Sequence, residues 1–470
     1  MLRRGILVGS AALLMLMLAV PRHAATAQTT PAPNVVVILT DDQPVGTLAG
    51  MANVTALAQA GAKFTNAIIS NPLCCPSRAT ILTGLYSHHT GVYTNGDGDD
   101  PNGGYPAFAA HGDQVRTFPP ALRQGGYTTG LFGKYLNHYD GSVQPGWDAF
   151  HSFVGKNARY YKYDWTIDWA TPAFHGTDPA DYSTNVAGSE ANAWLGSLDA
   201  SQPFFLYFAP FGPHRPRTAA PQDVGATTTT SFSTPAYNEA DVTDKPAYIQ
   251  ARPLFGVGES AKLQNMWNEQ YASLLSVDRW IGAFRDTLAT AGTLDNTYFI
   301  FLSDNSITWG DHRWAGKEVP YERSIRVPMV IAGPTVQHRL VGQVVSNVDL
   351  APTILDLAGI TPITTDGLSL SGVLAGGKLR RSGILLEHKG NPTTKDTVPS
   401  YCGFRTNRYM FTRYADDGTG VQEEELYNLH KDPFELTNIA ATLPAQAQPQ
   451  LRDAAYAAGC DPTIVPPPTG

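Results

Sequence analysis

Charged residues, cysteines and long apolar runs are all scarce in this sequence. Charged side chains make up 16% of the 470 residues, the formal net charge is −8, and lysine and arginine never form a long run. A nucleic acid is therefore not expected as the main partner, because its binding requires a basic surface. With 43% hydrophobic and 10% aromatic residues, the composition is that of a globular protein.

The one long apolar stretch, Gly5 to Val20, lies near the N-terminus behind Arg3 and Arg4. The small-x-small segment Ala25 to Ala27 follows it. This is the order of a secretory signal peptide, and we expect residues 1–27 to be removed. A membrane anchor is the alternative, but the stretch is shorter than the ~20 residues that a span needs. The sequence thus predicts a secreted, periplasmic or cell-surface protein without stable membrane insertion.

Only four cysteines are present, Cys74, Cys75, Cys402 and Cys460. Disulfides are allowed in an exported protein. The two adjacent cysteines are poorly placed to bridge each other without strain. At most one ordinary disulfide is therefore expected, between Cys402 and Cys460.

Short apolar runs alternate with helical segments along most of the chain. The run Val35 to Leu39 is typical of a strand buried on both faces, as in a parallel sheet. This alternation predicts an α/β fold with a large, mainly parallel sheet flanked by helices. Further strands are predicted at 127–132, 204–208, 298–302 and 327–331, and helices at 50–62, 77–85, 259–290 and 349–358.

The C-terminal part has a different pattern. Short strands are predicted at 384–386, 408–414 and 426–429, followed by a helical segment, which indicates a smaller α+β subdomain. We therefore expect a main domain over 28–377 and a C-terminal subdomain with a tail over 378–470. The segment 220–256 is rich in threonine and proline and has little periodicity, which predicts a long surface insertion.

Polar residues follow two of the predicted strands directly. Asp41 and Asp42 follow the first, and Asp304 and Asn305 follow the strand at 298–302. Ligands of open α/β sheets bind outside the carboxyl ends of the strands. Carboxylate and amide oxygens suit Ca²⁺ or Mg²⁺ rather than zinc. Either pair alone would more often cap a turn or a helix.

The segment Leu73 to Gly84 reads LCCPSRATILTG. Its Cys-x-Pro-Ser-Arg core, followed by Leu-Thr-Gly, resembles the signature of type I sulfatases. This resemblance implies an alkaline-phosphatase-like sulfatase fold, with 28–377 as the catalytic domain. It also implies that a formylglycine-generating enzyme oxidises Cys74, not Cys75, to formylglycine. A buried cysteine pair at a helix start is the alternative.

Further motifs resemble the same family, in the expected order along nearly the whole mature chain. They are Asp41-Asp42-Gln43, Gly133 to Asn137, Pro213 to Pro216, Asp304-Asn305, Gly316-Lys317, Tyr321-Glu322, Arg326 to Pro328, Asp349 to Thr353, Leu426 to Leu429 and Asp432-Pro433.

Within the family, Gly133 to Tyr139 and Tyr401-Cys402 look most like N-acetylglucosamine-6-sulfatases. Three positions depart from many members: Leu136 replaces a histidine, Ser306 replaces a glycine, and Thr308 often corresponds to a histidine.

The resemblance also implies roles for the motif residues. Asp41, Asp42, Cys74, Asp304 and Asn305 would bind one divalent cation, Ca²⁺ in preference to Mg²⁺. Arg78 would orient the nucleophile. Lys134 and Lys317 would bind sulfate oxygens, and His214 or Lys317 would protonate the leaving alcohol. For any single lysine or histidine, a surface charge or a satisfied core position is the usual alternative.

The expected reaction is hydrolysis of sulfate monoesters, on 6-sulfated N-acetylglucosamine or a related sulfated glycan or small molecule. The expected sugar preference rests on the segment Gly133 to Asn137 and on nearby aromatic residues. Most of these aromatic residues are expected to be core: Tyr135, Tyr139, Trp147, Tyr160, Tyr161 and Trp165. One alternative is a phosphomonoester, phosphonate or phosphodiester hydrolase on the same scaffold. The other is a secreted binding protein without turnover.

Overall fold

The computed structural model describes residues 31–96, 100–156, 158–390, 398–415, 423–442 and 447–460. The signal peptide predicted for residues 1–27 lies outside these ranges. No helix within the described ranges is long and apolar enough to cross a membrane.

Eighteen strands lie within the described ranges. They are β1 (Asn34–Thr40), β2 (Ala62–Phe64), β3 (Ala67–Ile68), β4 (Thr128–Gly133), β5 (Ala149–Val154), β6 (Tyr163–Ile167), β7 (Ala173–His175), β8 (Phe204–Ala209), β9 (Thr297–Ser303), β10 (Thr308–Trp309), β11 (Ala315–Gly316), β12 (Met329–Ala332), β13 (Arg339–Val341), β14 (Val345–Ser346), β15 (Ile384–His388), β16 (Tyr401–Arg405), β17 (Tyr409–Tyr414) and β18 (Glu424–Asn428).

Twelve α-helices accompany them in the same part of the chain. They are α1 (Ala52–Ala60), α2 (Cys74–Thr83), α3 (Ser87–Thr90), α4 (Gly104–Ala110), α5 (Pro119–Gln124), α6 (Ser183–Ser197), α7 (Ala247–Gln250), α8 (Val257–Thr290), α9 (Glu322–Ile325), α10 (Leu350–Leu357), α11 (Ser371–Leu374) and α12 (Ala447–Ala457).

Ten strands form one large sheet in the order β13-β2-β12-β9-β1-β8-β4-β5-β6-β7. The five central strands, from β9 to β5, are parallel to one another, and four of them correspond to predicted apolar runs. Strand β12 pairs antiparallel on both sides, and β6 and β7 continue the other margin antiparallel. The sheet is therefore mixed, with a parallel centre and antiparallel strands toward both margins.

Strand β1 is buried along its whole length. Val35, Val37 and Leu39 pack into one hydrophobic cluster with residues of α2 and α10. Val36 and Ile38 point to the opposite face and pack with residues of α1, α6 and α8. Helices thus cover both faces of this strand, which explains why its sequence is continuously apolar rather than alternating.

Helix α2 begins three residues earlier than the sequence predicts, at Cys74 instead of Ser77. Pro76 does not delay the start, because a proline in the first turn lacks only an N–H that would have no partner within the helix. The earlier start makes Cys74 the first residue of the helix and places Arg78 one turn further along.

A separate antiparallel sheet, β15-β16-β17-β18, forms the C-terminal part of the fold. The expected disulfide between Cys402 of β16 and Cys460 is present, and it ties the end of the described chain to this sheet. The predicted boundary at residue 377 lies between α11 and β15.

The prediction of a surface insertion over 220–256 is wrong for part of that segment. Phe232 packs with Trp267 of α8 in one cluster, and Val242 and Ile249 pack in a second cluster that includes residues of the C-terminal sheet. These apolar residues enter the interior singly and at irregular spacing, so no periodic pattern marks them in the sequence.

Candidate active site

The two polar strand ends meet at the carboxyl edge of the large sheet. Strands β1 and β9 pair in register, with Thr40 opposite Ser303. The backbone N–H of Asp304 donates to the carbonyl of Thr40 at 3.0 Å, and that of Asp42 donates to Asp304 Oδ1 at 3.1 Å. The in-register pairing thus brings two segments that are about 260 residues apart in sequence into one cluster.

Helix α2 adds Cys74 and Arg78 to this cluster. The side chain of Arg78 is fully buried, and its Nε donates to Asp304 Oδ2 at 2.7 Å. Its two Nη atoms donate to the carbonyl of Lys134 at 2.7 Å and to Asp41 Oδ2 at 3.4 Å. A buried guanidinium needs such partners, because leaving its charge unpaired in the interior costs several kcal/mol.

Two lysines and a histidine surround the carboxylates. Lys134 Nζ lies 2.5 Å from Asp41 Oδ2, and Lys317 Nζ lies 2.7 Å from Asp42 Oδ1 and 2.9 Å from Cys74 Sγ. His214 Nε2 lies 3.5 Å from Asp42 Oδ2, while its Nδ1 lies 2.7 Å from the carbonyl of Arg215. The structure therefore brings together all nine residues that the sequence analysis names for the site.

Burial and neighbouring charges shift the pKa values of Asp41 and Cys74 in opposite directions. Burial favours a raised pKa for Asp41, but Lys134, followed by His214 and Arg78, holds the pKa of that carboxyl well below its usual range. Burial, and then the charge of Asp41, raise the pKa of the Cys74 thiol far above its usual value. The carboxylate is thus ionised at neutral pH, whereas the unmodified thiol stays protonated and is a weak nucleophile.

Four side chains of the cluster could together hold a metal ion. Ligand atoms of Asp41, Asp42, Cys74 and His214 all lie within 4.8 Å of one another. Asn305 Nδ2 donates to Asp42 Oδ1 at 2.6 Å, but Asn305 Oδ1 is buried without a hydrogen-bond partner among the described residues. A buried oxygen left in this state is suited to a cation, and oxygen ligands favour Ca²⁺ or Mg²⁺.

The cluster opens onto two cavities. We call the first, of about 430 Å³, the tyrosine cavity, because Tyr135, Tyr160 and Tyr161 line it together with Lys134 and His214. The second, of about 300 Å³, is the tryptophan cavity, which Trp309 and Trp314 line together with Asp42 and Lys317. Arg215 lines both, so a substrate at the cluster has room on two sides.

The aromatic residues near the Gly133–Asn137 motif are mostly core, as expected. Tyr135, Tyr139, Trp147, Tyr160 and Trp165 are all nearly fully buried. Tyr160 has a positioning contact that the sequence does not reveal, since its hydroxyl donates to the carbonyl of His214 at 2.8 Å.

The side chains of Ser306 and Thr308, the two departures next to Asn305, form hydrogen bonds to backbone carbonyls. The hydroxyl of Ser306 donates to the carbonyl of Arg323 at 2.7 Å, and that of Thr308 donates to the carbonyl of Trp314 at 2.5 Å. Both hydroxyls therefore bond backbone carbonyls rather than side chains of the cluster, although Thr308 also lines the tryptophan cavity.

Three further residues near the site could not be identified from the sequence. Gln270 of α8 donates from its side chain to the carbonyl of Asp42 at 2.9 Å, and Asn95 accepts from the N–H of Cys75 at 2.9 Å. Arg217, two residues beyond Arg215, lines the tryptophan cavity. Nothing in their local sequence distinguishes these residues from other polar surface positions.

Buried carboxylates, lysines and a histidine at the carboxyl ends of parallel strands define a hydrolase of anionic esters. The model of the sulfatase family matches residues 33–360, and that of the N-sulphoglucosamine sulphohydrolase C-terminal region matches residues 310–454. The chain belongs to the sulfatase family and is a sulfuric ester hydrolase.

Two relatives illustrate the similarity. The N-acetylglucosamine-6-sulfatase of Homo sapiens is 32% identical over 454 residues, which cover 87% of this chain and 81% of that protein. The extracellular sulfatase SULF-1 homolog of Drosophila melanogaster is 35% identical over 354 residues. That match covers 73% of this chain but only 31% of the much longer relative.

Solved structures share the fold. A protein determined in complex with its substrate, D-glucosamine-2-N,6-O-disulfate, superposes with a TM-score of 0.74 at 25% identity, over 91% of this chain and 97% of the other. The phosphonate monoester hydrolase of Agrobacterium radiobacter superposes with a TM-score of 0.70 at 23% identity, over 91% and 95% of the two chains. The second likeness concerns the fold alone.

Proposed function

We propose that this sulfuric ester hydrolase works with a formylglycine at position 74 and one divalent cation, and that it acts on a sulfated glycan. The position of Cys74 carries the proposal. It is the first residue of α2, and its Sγ lies 3.4 Å from Asp41 Oδ1 and 2.9 Å from Lys317 Nζ. The same cysteine begins the Cys-x-Pro-Ser-Arg motif.

Formylglycine would remedy the weakness of the buried thiol. A formylglycine-generating enzyme would oxidise the side chain of Cys74 to an aldehyde, whose hydrate carries two hydroxyls. When present, this group would supply one hydroxyl as the nucleophile toward sulfur. Its second hydroxyl would allow sulfate to be released as the aldehyde re-forms, which a serine at this position would not allow.

A single divalent cation would be held by Asp41, Asp42, Asp304 and Asn305, with residue 74 as a further ligand. The unpartnered Asn305 Oδ1 supports this assignment. Calcium is the ion we propose, with magnesium second, because the four other ligands are oxygens on strand ends and suit flexible coordination. When bound, the cation would polarise the ester and favour ionisation of the nucleophile.

The remaining side chains would hold the reactants and move one proton. Arg78 keeps Asp41 and Asp304 in place through the contacts described above. We assign the sulfate oxygens to Lys134 and Lys317, whose ammonium groups already lie beside carboxylates of the cluster. We assign proton donation to the leaving alcohol to His214 or Lys317, since each lines one of the two cavities.

The proposed substrate is a 6-sulfated N-acetylglucosamine or a related sulfated glycan. Support comes from the human relative and from the substrate named for the solved structure. Tyr161 in the tyrosine cavity and Trp314 in the tryptophan cavity are only partly buried, so their rings offer aromatic surface to a sugar. The signal peptide predicted for residues 1–27 and the name of the SULF-1 homolog support a secreted, periplasmic or cell-surface location.

Mass analysis of the peptide that contains residue 74 tests the nucleophile directly. We expect the mass of formylglycine, and we expect Cys74→Ala to lose turnover of an aryl sulfate. The side chain is fully buried, so folding of the variant must be checked by thermal unfolding. Wild-type turnover in a folded Cys74→Ala protein would end the proposed mechanism.

The second measurement compares the rates of hydrolysis of sulfate and phosphate esters, because the same scaffold could serve phosphorus esters. The matched control for the aryl sulfate is an aryl phosphate of the same alcohol. We expect the rate on aryl sulfate to exceed that on aryl phosphate. The opposite order would favour the phosphate or phosphonate alternative.

A further inference from the structure

Arg217 carries a buried guanidinium in the wall of the tryptophan cavity. The residue is 8% exposed, and its Nε is buried without a hydrogen-bond partner among the described residues. The guanidinium carbon lies 5.0 Å from the centre of the Trp309 ring. This cation–π contact fixes the plane of the group, but it does not satisfy its N–H donors.

The backbone also constrains this side chain. Arg217 has a positive φ of 62°, which is uncommon for a residue with a Cβ. Its N–H donates to the carbonyl of His214 at 2.9 Å, so the turn that bears His214 also sets the position of Arg217. A left-handed arginine that is buried but not hydrogen-bonded through Nε is costly, and such cost is often retained at binding sites.

The cavity connects Arg217 to the reaction centre. Asp42 and Lys317 line it as well, and both belong to the cluster around residue 74. Arg215 adds a second cation to the wall, and Glu318 adds a carboxylate. A substrate whose sulfate ester lies at the cluster can therefore extend a second group into this cavity.

A guanidinium with free donors binds planar or tetrahedral oxyanions, often through two parallel hydrogen bonds. We propose that Arg217 binds a second anionic group of the substrate, an N-sulfate or a carboxylate, in the tryptophan cavity. The preferred substrate is then a glycan that is negatively charged at a position besides its reacting ester. This inference rests on the proposed sulfated-glycan activity.

Three substrates separate the possibilities. N-acetylglucosamine 6-sulfate carries only the reacting group, and D-glucosamine-2-N,6-O-disulfate adds an N-sulfate. A disaccharide of 6-sulfated N-acetylglucosamine and a uronic acid adds a carboxylate. We expect wild-type protein to show a higher kcat/KM on at least one doubly charged substrate than on the singly charged one, and the preferred substrate identifies the anion.

Substitution of Arg217 tests the assignment to this side chain. Arg217→Gln should lower the preference for the doubly charged substrate by about tenfold to a hundredfold, mainly through KM, because one charge-assisted contact is lost. Arg217→Lys should keep part of it. The matched control is Arg252→Gln. The guanidinium of Arg252 lies 4.4 Å from the Trp314 ring, but Arg252 does not line the cavity. This control should leave the preference intact.

Each negative outcome points to a different error. Equal kcat/KM on all three sugars, or the same preference in Arg217→Gln as in wild type, would overturn the role of Arg217 and leave the sulfatase proposal standing. A uniform loss on all substrates in Arg217→Gln would indicate a purely structural arginine. Failure of wild-type protein to hydrolyse any sulfated sugar, with turnover of an aryl sulfate, would remove the glycan proposal itself.

Discussion

Replacing Arg78 with methionine should be among the most damaging single changes to this protein. The side chains of Arg78 and Asp304 are both completely buried, and they are joined at 2.7 Å. Arg78→Met keeps much of the volume but leaves Asp304 and Asp41 without the guanidinium. Removing one partner of a buried ion pair costs about 3–5 kcal/mol, because the remaining charge cannot be solvated.

The expected shift in thermal midpoint follows from the size of the folded unit. An unfolding entropy of about 2.1 cal/mol/K per residue gives roughly 0.9 kcal/mol per degree for the unit from Ala32 onward. The midpoint measured by calorimetry should therefore fall by about 3–6 °C. Calcium should restore part of this loss if it binds as proposed, since a cation would supply positive charge to the same carboxylates.

Arg123→Met is the matched control. Arg123 Nε also lies 2.7 Å from a carboxylate, that of Asp148, but the two side chains are 59% and 29% exposed. An exposed pair contributes less than about 1 kcal/mol, so this midpoint should move by about 1 °C or less. If Arg78→Met does not fold, Arg78→Lys can be measured instead. Its thermal midpoint should fall by less than the drop of about 3–6 °C expected for Arg78→Met but by more than that of Arg123→Met. Equal shifts in the Arg78 and Arg123 variants would refute the argument from burial.

Three other predictions follow from the same structure. Asp304→Ala should lose bound calcium, measured by metal analysis, together with turnover; stoichiometric zinc without calcium in native protein would contradict the assignment. N-acetylglucosamine 6-sulfate should be hydrolysed in preference to a bulky steroid sulfate. If only an aryl sulfate were hydrolysed, and no sulfated sugar inhibited that reaction, a sulfated sugar would be excluded as the substrate. Cys460→Ser should lower the free energy of unfolding by about 4 kcal/mol, because the disulfide no longer restricts the entropy of the unfolded chain. The estimate uses the sequence separation of 58 residues between Cys402 and Cys460. An unchanged unfolding midpoint under non-reducing conditions would contradict it.

Features that depend on local pattern could be predicted from the sequence. The apolar run of β1 indicates a strand buried on both faces, because only such a strand excludes polar residues from every position. The motif that begins at Cys74 depends only on residue identity and order, so it can be recognised without a structure. The pairing of Cys402 with Cys460 follows from the small number of available cysteines.

Features that depend on contacts between distant segments could not be predicted from the sequence. The antiparallel direction of β12 is not visible in its apolar sequence, because a buried strand has the same composition in either direction. The burial of Phe232 depends on contacts with α8 that leave no periodic signal.

The sequence by itself determined the family, the parallel centre of the sheet and the identities of the candidate site residues, because these are properties of short segments. Only the tertiary structure decided which polar groups remain unsatisfied once the chain is packed. Asn305 Oδ1 and Arg217 Nε are ordinary polar atoms in the sequence, and their lack of partners among the described residues arises from elements that fold around them. Burial and hydrogen bonding are relations between distant segments, so they exist only after folding.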